Sequence, residues 1–211
     1  MVRELQALAE IAHILGYRED EKRWKAQAEE LTARINAFLW DEETGFYYDR
    51  EIDGTWVKIK TPAGLFPLFA GVASPAQAER LVKHLTNPVE FWAHMPVPTV
   101  ALDEPVYEPD MWRGPVWLAP NFIVIEGLRR YGYQDLAKEL KERTLAEVDR
   151  WYQTTGCLWE FYDPRGEVPP SKLRRKWRKY RPPYPLASPI PDMQSLTGAC
   201  FVALLLGEGR P

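Results

Sequence analysis

Segments with apolar residues at helical spacing recur along the whole chain, and this pattern is the strongest constraint on its fold. The first spans residues 3–15 and is followed by Gly16, a residue that commonly stops a helix. The second spans residues 20–40 and has i,i+4 charge pairs on its outer face. Further helices are predicted at residues 63–69, 75–85, 115–131, 134–152 and 195–206. The sequence therefore predicts an all-α fold that begins with an antiparallel helix pair.

Residues 46–60 depart from the helical pattern. Aromatic and β-branched residues flank Asp53-Gly54, which is the strongest short-range signal for a β-hairpin. The acidic spacing around Asp53 also resembles a calcium loop, but Lys60 stands where the last ligand would be a glutamate. We therefore expect a small hairpin at residues 46–60 and no calcium site.

Ser74 and Pro75 predict the start of the helix at residues 75–85, with Ser74 as the N-cap and Pro75 as the first helical residue.

Two long segments, residues 87–114 and 154–193, lack a sustained period and contain many prolines and aromatic residues. Long ordered loops of this kind are usually functional. Each precedes a predicted helix, which in a layered helical fold places both loops at the same end. We expect the functional site at that end.

The composition indicates one globular domain over residues 1–211. A chain of 211 residues that is 45% hydrophobic can bury one sizeable core. Its nine Trp, ten Tyr and eight Phe exceed what a core usually needs, so some of these rings are expected to line a cleft.

One basic run departs from the overall charge of −3. Residues 172–181 hold seven of the 27 basic residues and include two aromatic residues. Three interpretations stay open: a patch that binds nucleic acid or anionic lipid, a solvated surface that pairs with the acidic remainder, or a rim that attracts an anionic sugar.

The expected location is the reducing cytoplasm. Cys157 and Cys200 form neither a metal-binding spacing nor a disulfide framework, and the chain does not open with a secretion signal. The longest apolar stretch, residues 196–207, is shorter than the roughly 20 residues that span a bilayer, so it predicts a buried helix. The histidines lie apart from other ligand-type residues, and no metal or other cofactor is expected.

Residues 111–121 and the segment around Glu160 carry most of the functional information. Trp112 and Trp117 offer flat apolar faces, and Arg113 offers hydrogen-bond donors. Sugars stack their C–H faces on aromatic rings while their hydroxyls need fixed polar partners. Glu160 is the candidate catalytic residue. The candidate substrate-binding residues are Trp112, Arg113, Gly114, Trp117, Asn121, Trp159 and Tyr162.

Each of these residues also has a structural interpretation. Glu160 has the spacing of a surface residue beside a type I turn at residues 163–166. Arg113 has the i,i+3 spacing of an ion pair with Asp110. Trp112 and Trp117 are also typical of core packing.

Four segments resemble glycoside hydrolase family 63 and its mannosylglycerate hydrolase-like relatives. They are residues 39–49 (LWDEETGFYYD), 65–71 (LFPLFAG), 112–117 (WRGPVW) and 160–164 (EFYDP). The resemblance implies an (α/α)6 barrel of the six-hairpin glycosidase type and an inverting glycoside hydrolase. It also implies that Glu160 is the general base.

This chain departs from the family pattern in one half of the site. The family's general-acid Asp lies in a Gly-x-Asp-x-Ser-like segment that has no counterpart here, and the family domain is roughly twice as long. The chain therefore resembles the C-terminal half of the barrel. Self-association or a partner chain is expected to cover the open faces. Acidic residues on the loop before the signature offer a second carboxylate, and these are Asp103, Glu104, Glu108 and Asp110.

Three functional hypotheses follow. The first is an inverting glycoside hydrolase lobe that acts on a small α-glucoside or α-mannoside and is incomplete without the general acid. The second is a carbohydrate-binding or assembly module without catalysis. The third is nucleic-acid binding through residues 172–181, with an affinity that falls steeply with salt.

Overall fold

Helices form most of the chain, of which the computed structural model describes residues 1–173 and 194–207. The helices are α1 (Val2–Ile14), α2 (Arg18–Leu39), α3 (Phe66–Ala70), α4 (Pro75–Leu85), α5 (Leu118–Arg130), α6 (Gln134–Thr155) and α7 (Gln194–Leu206). The strands are β1 (Trp40–Asp41), β2 (Phe46–Tyr47), β3 (Asp49–Arg50) and β4 (Trp56–Val57). Short 3₁₀ turns lie at Pro62–Leu65, Met111–Arg113 and Pro170–Lys172. Within the described ranges, no helix is long and apolar enough to cross a bilayer.

Alternate helices of the chain lie side by side in a row. α3 packs against α1 and α5, and α5 also packs against α7. The intervening helices flank this row, with α2 against α1 and α6 against α5. Two layers of helices result, one formed by the row and the other by α2 and α6.

The first two helices confirm the prediction from periodicity. α1 stops at Ile14, and Gly16 adopts the left-handed conformation with a φ of 77°. The Tyr17 backbone N–H then bonds to the Ala12 carbonyl at 2.8 Å, which turns the chain directly into α2. The predicted Ser74 cap is also confirmed, because its side chain and that of Gln77 form a reciprocal capping box at the start of α4.

The hairpin predicted within residues 46–60 is confirmed at residues 49–57. β3 and β4 pair across the expected Asp53-Gly54 turn, where Gly54 has a φ of 89°. A second, unpredicted pair joins β1 to β2, with Trp40 opposite Tyr47. α2 consequently ends at Leu39, since Trp40 is extended and belongs to the strand.

The core joins the helix row to the hairpins, α4 and α6. Its fully buried members include Phe46, Leu65, Leu68 and Ile125. α5 approaches α3 closely at Gly127, where an added Cβ would lie 2.8 Å from both Leu68 Cβ and the Phe69 backbone nitrogen. Only glycine permits this approach, so the contact depends on a residue that weakens the helix itself.

We predict opposite effects for alanine at two helical glycines. Gly127→Ala should lower the free energy of unfolding by about 1–3 kcal/mol, because the new methyl overlaps α3. The matched change Gly198→Ala on α7 meets its nearest neighbour, Leu158, at an ordinary 3.7 Å. It should be neutral or raise stability by up to about 1 kcal/mol through helix propensity. Urea denaturation of both variants tests this, and a harmless Gly127→Ala would contradict the packing described.

Asp41 at the end of β1 accepts three hydrogen bonds. Its Oδ2 receives the Thr44 hydroxyl at 2.6 Å, the Thr44 backbone N–H at 3.2 Å and the Lys58 ammonium at 3.0 Å. The hydroxyl bond from Thr44 is the largest cause that lowers the pKa of Asp41 below its ordinary 3.8, and Lys58 adds to it against an opposing effect of burial. The ionised carboxylate therefore stabilises the first hairpin.

We predict that Asp41→Asn destabilises the protein at neutral pH and that the difference from wild type shrinks in acid. A carboxyl with a lowered folded pKa contributes stability above its unfolded pKa, and that contribution is lost as the pH falls through the lower folded value. The gap should therefore close below about pH 4. Unfolding curves from pH 7 to pH 3 measure it, with Glu43→Gln at a neighbouring exposed carboxylate as the control. A gap that is constant with pH would contradict this account.

Candidate active site

The two long loops meet through their backbones. Val116 and Tyr162 exchange two backbone hydrogen bonds of 2.8 and 2.9 Å in an isolated antiparallel bridge. The Met95 N–H also donates to the Pro164 carbonyl at 2.9 Å. The bridge holds the chain extended before α5, which is why that helix begins at Leu118 instead of the predicted residue 115.

Aromatic rings form a wall beside this junction. Trp112 and Trp117 stack with ring centroids 3.9 Å apart and an interplanar angle of 13°, and Phe161 lies 5.3 Å behind Trp117. Trp117 is 2% exposed, whereas Trp112 is 48% exposed. Trp112 therefore presents one free face to solvent, and Trp117 supports the other face.

The backbone before the wall is unusually constrained. Met111 has a φ of 45°, which is unfavourable for a residue with a side chain, and its carbonyl accepts the Trp117 indole N–H at 3.1 Å. At Gly114, a Cβ would lie 2.3 Å from the Glu108 carbonyl oxygen. The Gly114 N–H donates to the Thr99 hydroxyl at 3.0 Å. Because Gly114 has no side chain, its backbone can pack directly against the backbone of Glu108. Its role is therefore to allow this packing within the loop.

Arg113 lies at the surface beside Trp112. Its guanidinium pairs with Glu108 at 3.3 Å, and both side chains are partly exposed. Asp110 instead receives a hydrogen bond from the Arg113 backbone N–H, at its carbonyl oxygen. The guanidinium of Arg113 thus has Glu108 as an ion-pair partner, and about half of the side chain remains exposed.

Glu160 is only 8% exposed, so it is not the surface residue of the structural interpretation. The segment that carries it is held on both sides. The Trp159 N–H donates to the Tyr162 hydroxyl at 3.1 Å. The Gly166 N–H donates to the Asp163 carbonyl at 3.0 Å, which closes the predicted turn, and Asp163 Oδ2 accepts the N–H groups of Glu167 and Val168 at 2.9 and 3.0 Å. These contacts fix the backbone around the candidate catalytic carboxylate.

Besides Gly114 and Trp117, three more predicted substrate-binding residues are buried. Asn121 is 0% exposed and donates its amide to the Pro96 carbonyl and the Thr144 hydroxyl at 3.1 and 2.8 Å. Tyr162 is also 0% exposed, and burial raises the pKa of its phenol. Trp159 is 8% exposed, and its indole N–H donates to the Thr155 hydroxyl. The hydrogen bonds of these three residues link the two loops and helix α6 to each other. We therefore assign them a supporting role and do not propose that they contact a ligand.

Glu147 on α6 is a supporting residue that the sequence did not reveal. It is 2% exposed and contacts three groups: His94 at 3.0 Å, Arg150 at 2.8 Å and the Trp151 indole N–H at 2.7 Å. Arg150 also donates to the Gly166 carbonyl at 2.8 Å, in the turn after Glu160. A glutamate in an amphipathic helix usually lies at the surface, so the pattern gave no sign of this role.

The acidic residues before the signature already have partners. Lys60 pairs with Asp103 and Glu90, and its backbone N–H donates to Glu104 Oε1 at 3.0 Å. Glu108 pairs with Arg113 as described. These contacts therefore give no reason to prefer Asp103, Glu104 or Glu108 as the second catalytic group.

Part of the basic run lies outside the described residues, namely residues 174–181. Its beginning is described: Leu173 is buried and packs with Trp117 and Phe161 behind the aromatic wall. The run therefore starts directly beside the candidate site. In the described part of the chain, no three His, Cys, Asp or Glu side chains are arranged to hold a metal ion.

Glu160 is buried one residue before Phe161, whose ring packs against Trp117 in the stacked tryptophan pair. Residues 1–171 match the family model of the mannosylglycerate hydrolase MGH1-like glycoside hydrolase domain. The chain belongs to this family. The family resemblance of the sequence is thereby confirmed.

Relatives and solved structures agree with this assignment. A mannosylglycerate hydrolase of Thermus thermophilus is 39% identical over 131 residues, which are 60% of this chain and 29% of that protein. A GH63 mannosylglycerate hydrolase from another strain of Thermus thermophilus, solved in complex with glucose, is 30% identical with a TM-score of 0.72. That match covers 96% of this chain and 45% of the solved one. The neutral trehalase Nth1 of Saccharomyces cerevisiae shares the fold, with a TM-score of 0.60 at 20% identity, over 90% of this chain and 35% of that one.

The matches confirm the predicted fold, a partial (α/α)6 barrel with small hairpins. The chain spans about a third of the length of the curated relatives and just under half of the solved mannosylglycerate hydrolases.

We predict that Tyr162→Phe loosens the segment that carries Glu160. The Trp159 N–H would lose its acceptor in a buried site, which should lower the free energy of unfolding by about 1–3 kcal/mol. Tyr152→Phe, at a half-exposed tyrosine on α6, should change it by less than about 0.5 kcal/mol. Denaturation curves of the two variants measure the difference. Equal stabilities would show that the hydroxyl does not hold the segment.

Proposed function

We propose that this chain supplies the general-base half of an inverting glycoside hydrolase, and that it corresponds to the C-terminal half of the family's barrel. The observation that carries the proposal is the position of Glu160. It is buried on a braced segment and directly precedes Phe161, which packs against Trp117 behind the exposed ring of Trp112. A carboxylate that must orient one water molecule needs such a fixed backbone.

The proposed chemistry uses Glu160 as the base. Its carboxylate takes a proton from a water molecule as the water oxygen attacks the anomeric carbon of the sugar. The glycosidic bond breaks, and a second carboxyl group protonates the leaving oxygen from the opposite side. Inversion requires roughly 6.5–9.5 Å between the two groups, so the acid must lie across the cleft from Glu160. Membership of the family supports this division, and the acid is expected in the part of the fold that this chain does not span.

The proposed substrate is a small α-glucoside or α-mannoside. Trp112 offers a free ring face for the sugar, and Arg113 offers guanidinium donors beside it. The names of the relatives point to mannosylglycerate, whose glycerate carboxylate would suit a guanidinium partner. The basic residues that begin beside the aromatic wall would raise the local concentration of such an anion.

The decisive variant is Glu160→Gln, tested in the chain supplied with the missing part of the barrel. Loss of the base should lower kcat by about 10²–10⁴-fold, while the affinity for the sugar should change little. Glu167→Gln, an exposed glutamate on the same loop, is the matched control and should keep full activity. Hydrolysis of α-glucosides, α-mannosides and mannosylglycerate provides the rate, and calorimetry provides the sugar affinity.

Two results would overturn the proposal. Activity that survives Glu160→Gln would remove Glu160 from the chemistry. Sugar binding without hydrolysis by the completed barrel would favour the alternative, a carbohydrate-binding module.

A further inference from the structure

A second buried carboxylate, that of Glu147 on α6, is connected to the chain on both sides of Glu160. Glu147 is 2% exposed and contacts His94, Arg150 and Trp151. Burial of a carboxylate is costly unless the group is paired and hydrogen-bonded. The fold therefore favours arrangements that keep all three partners in place, and each of these partners also contacts the region around Glu160.

One connection leads to the turn that follows Glu160. Arg150 Nη2 lies 2.8 Å from Glu147 Oε1 and 2.8 Å from the Gly166 carbonyl oxygen, so one nitrogen joins the buried carboxylate to the turn. The His94 ring lies against the same glycine, where an added Cβ would be 2.5 Å from His94 Cδ2. Two partners of Glu147 thus hold Gly166, one at its carbonyl and the other at its Cα.

The other connection leads to the residues that flank Glu160 directly. The Trp151 indole N–H donates to Glu147 at 2.7 Å. The Trp151 ring packs against the buried cluster that contains Trp159 and Tyr162. Trp159 is the residue before Glu160, and Tyr162 is two residues after it. One carboxylate on a helix is therefore linked to the chain before and after the candidate base.

Different groups hold the side chains that would face the sugar. Trp112 stacks on Trp117, and Arg113 pairs with Glu108 at 3.3 Å. The exposed ring and guanidinium thus depend on contacts within the segment that precedes α5. A change at Glu147 is therefore expected to disturb the base more than the sugar-binding wall.

We propose that Glu147 is a positioning residue for Glu160. It is too deeply buried to contact a substrate, so it acts through His94, Arg150 and Trp151, which fix the segment of residues 159–168. This inference rests on the proposed function, in which Glu160 must direct one water molecule at the anomeric carbon. A misplacement of about 1 Å in such a group can cost about 10²-fold in rate.

Hydrogen exchange of the chain by itself tests the positioning without any need for activity. Glu147→Ala removes the group that all three partners contact. The amides of Gly166, Glu167 and Val168, which bond to Asp163, should then exchange at least about ten-fold faster through local opening.

Glu90→Ala is the matched control. Glu90 is 7% exposed and also contacts a histidine and a cation, His84 at 2.6 Å and Lys60 at 3.2 Å. Its loss removes a similar buried network, but exchange at residues 166–168 should stay as in wild type. An equal rise in both variants would reflect a general loss of stability and would overturn the inference.

Kinetics of the chain supplied with the missing part of the barrel test the consequence for the reaction. Glu147→Ala should lower kcat by about 10–10²-fold and leave the sugar affinity unchanged, whereas Glu90→Ala should keep the wild-type kcat. Arg150→Met changes a side chain that is 44% exposed, so it is compatible with folding. It removes the bond to Gly166 and should lower kcat in the same direction.

Glu160→Gln, measured alongside, separates this inference from the proposed function. Full activity of Glu160→Gln would remove the proposed function, and the role of Glu147 in catalysis with it. If Glu160→Gln is inactive while Glu147→Ala and Arg150→Met keep the wild-type kcat, the positioning role alone is wrong. A weaker sugar affinity at constant kcat, or unchanged exchange at residues 166–168, would also overturn it.

Discussion

The backbone pairing of Val116 with Tyr162 is the contact on which the candidate site depends. It joins a residue just before α5 to a residue just after Glu160, so one pair of hydrogen bonds relates the helix row, the tryptophan wall and the carboxylate. Both residues are fully buried, and water therefore cannot compete for these bonds. The pairing thus fixes the two long loops relative to each other at the point where the site forms.

The buried carboxylate of Glu147 on α6 also supports the loops of the candidate site. Glu147 has little contact with water, so its negative charge is tolerable only because Arg150, His94 and Trp151 surround it. The same arginine reaches the turn that follows Glu160. The flanking helix α6 is thus linked directly to the turn that follows Glu160.

Periodicity and cap residues predicted the helices well, because both signals are local. Gly16 and Ser74 ended or began helices where expected. The pairing of β1 with β2 could not be foreseen, since strands of two residues have no period to detect. The roles of Asn121 and Glu147 depend on contacts between residues more than twenty positions apart, which a pattern within one helix does not contain. The tryptophans of the signature were identified, but the sequence could not show which ring faces solvent.

The stacked pair Trp112 and Trp117 has an optical consequence. Two indoles with centroids 3.9 Å apart and nearly parallel planes couple their electronic transitions, which gives a circular dichroism signal that neither ring has alone. Only Trp112 of this pair is open to a ligand, and its partner holds it in place, so little side-chain entropy remains to be lost on binding. A sugar that settles on the free face would change that coupled signal directly. Under the proposed function, circular dichroism of this tryptophan pair would report whether the proposed sugar site is occupied.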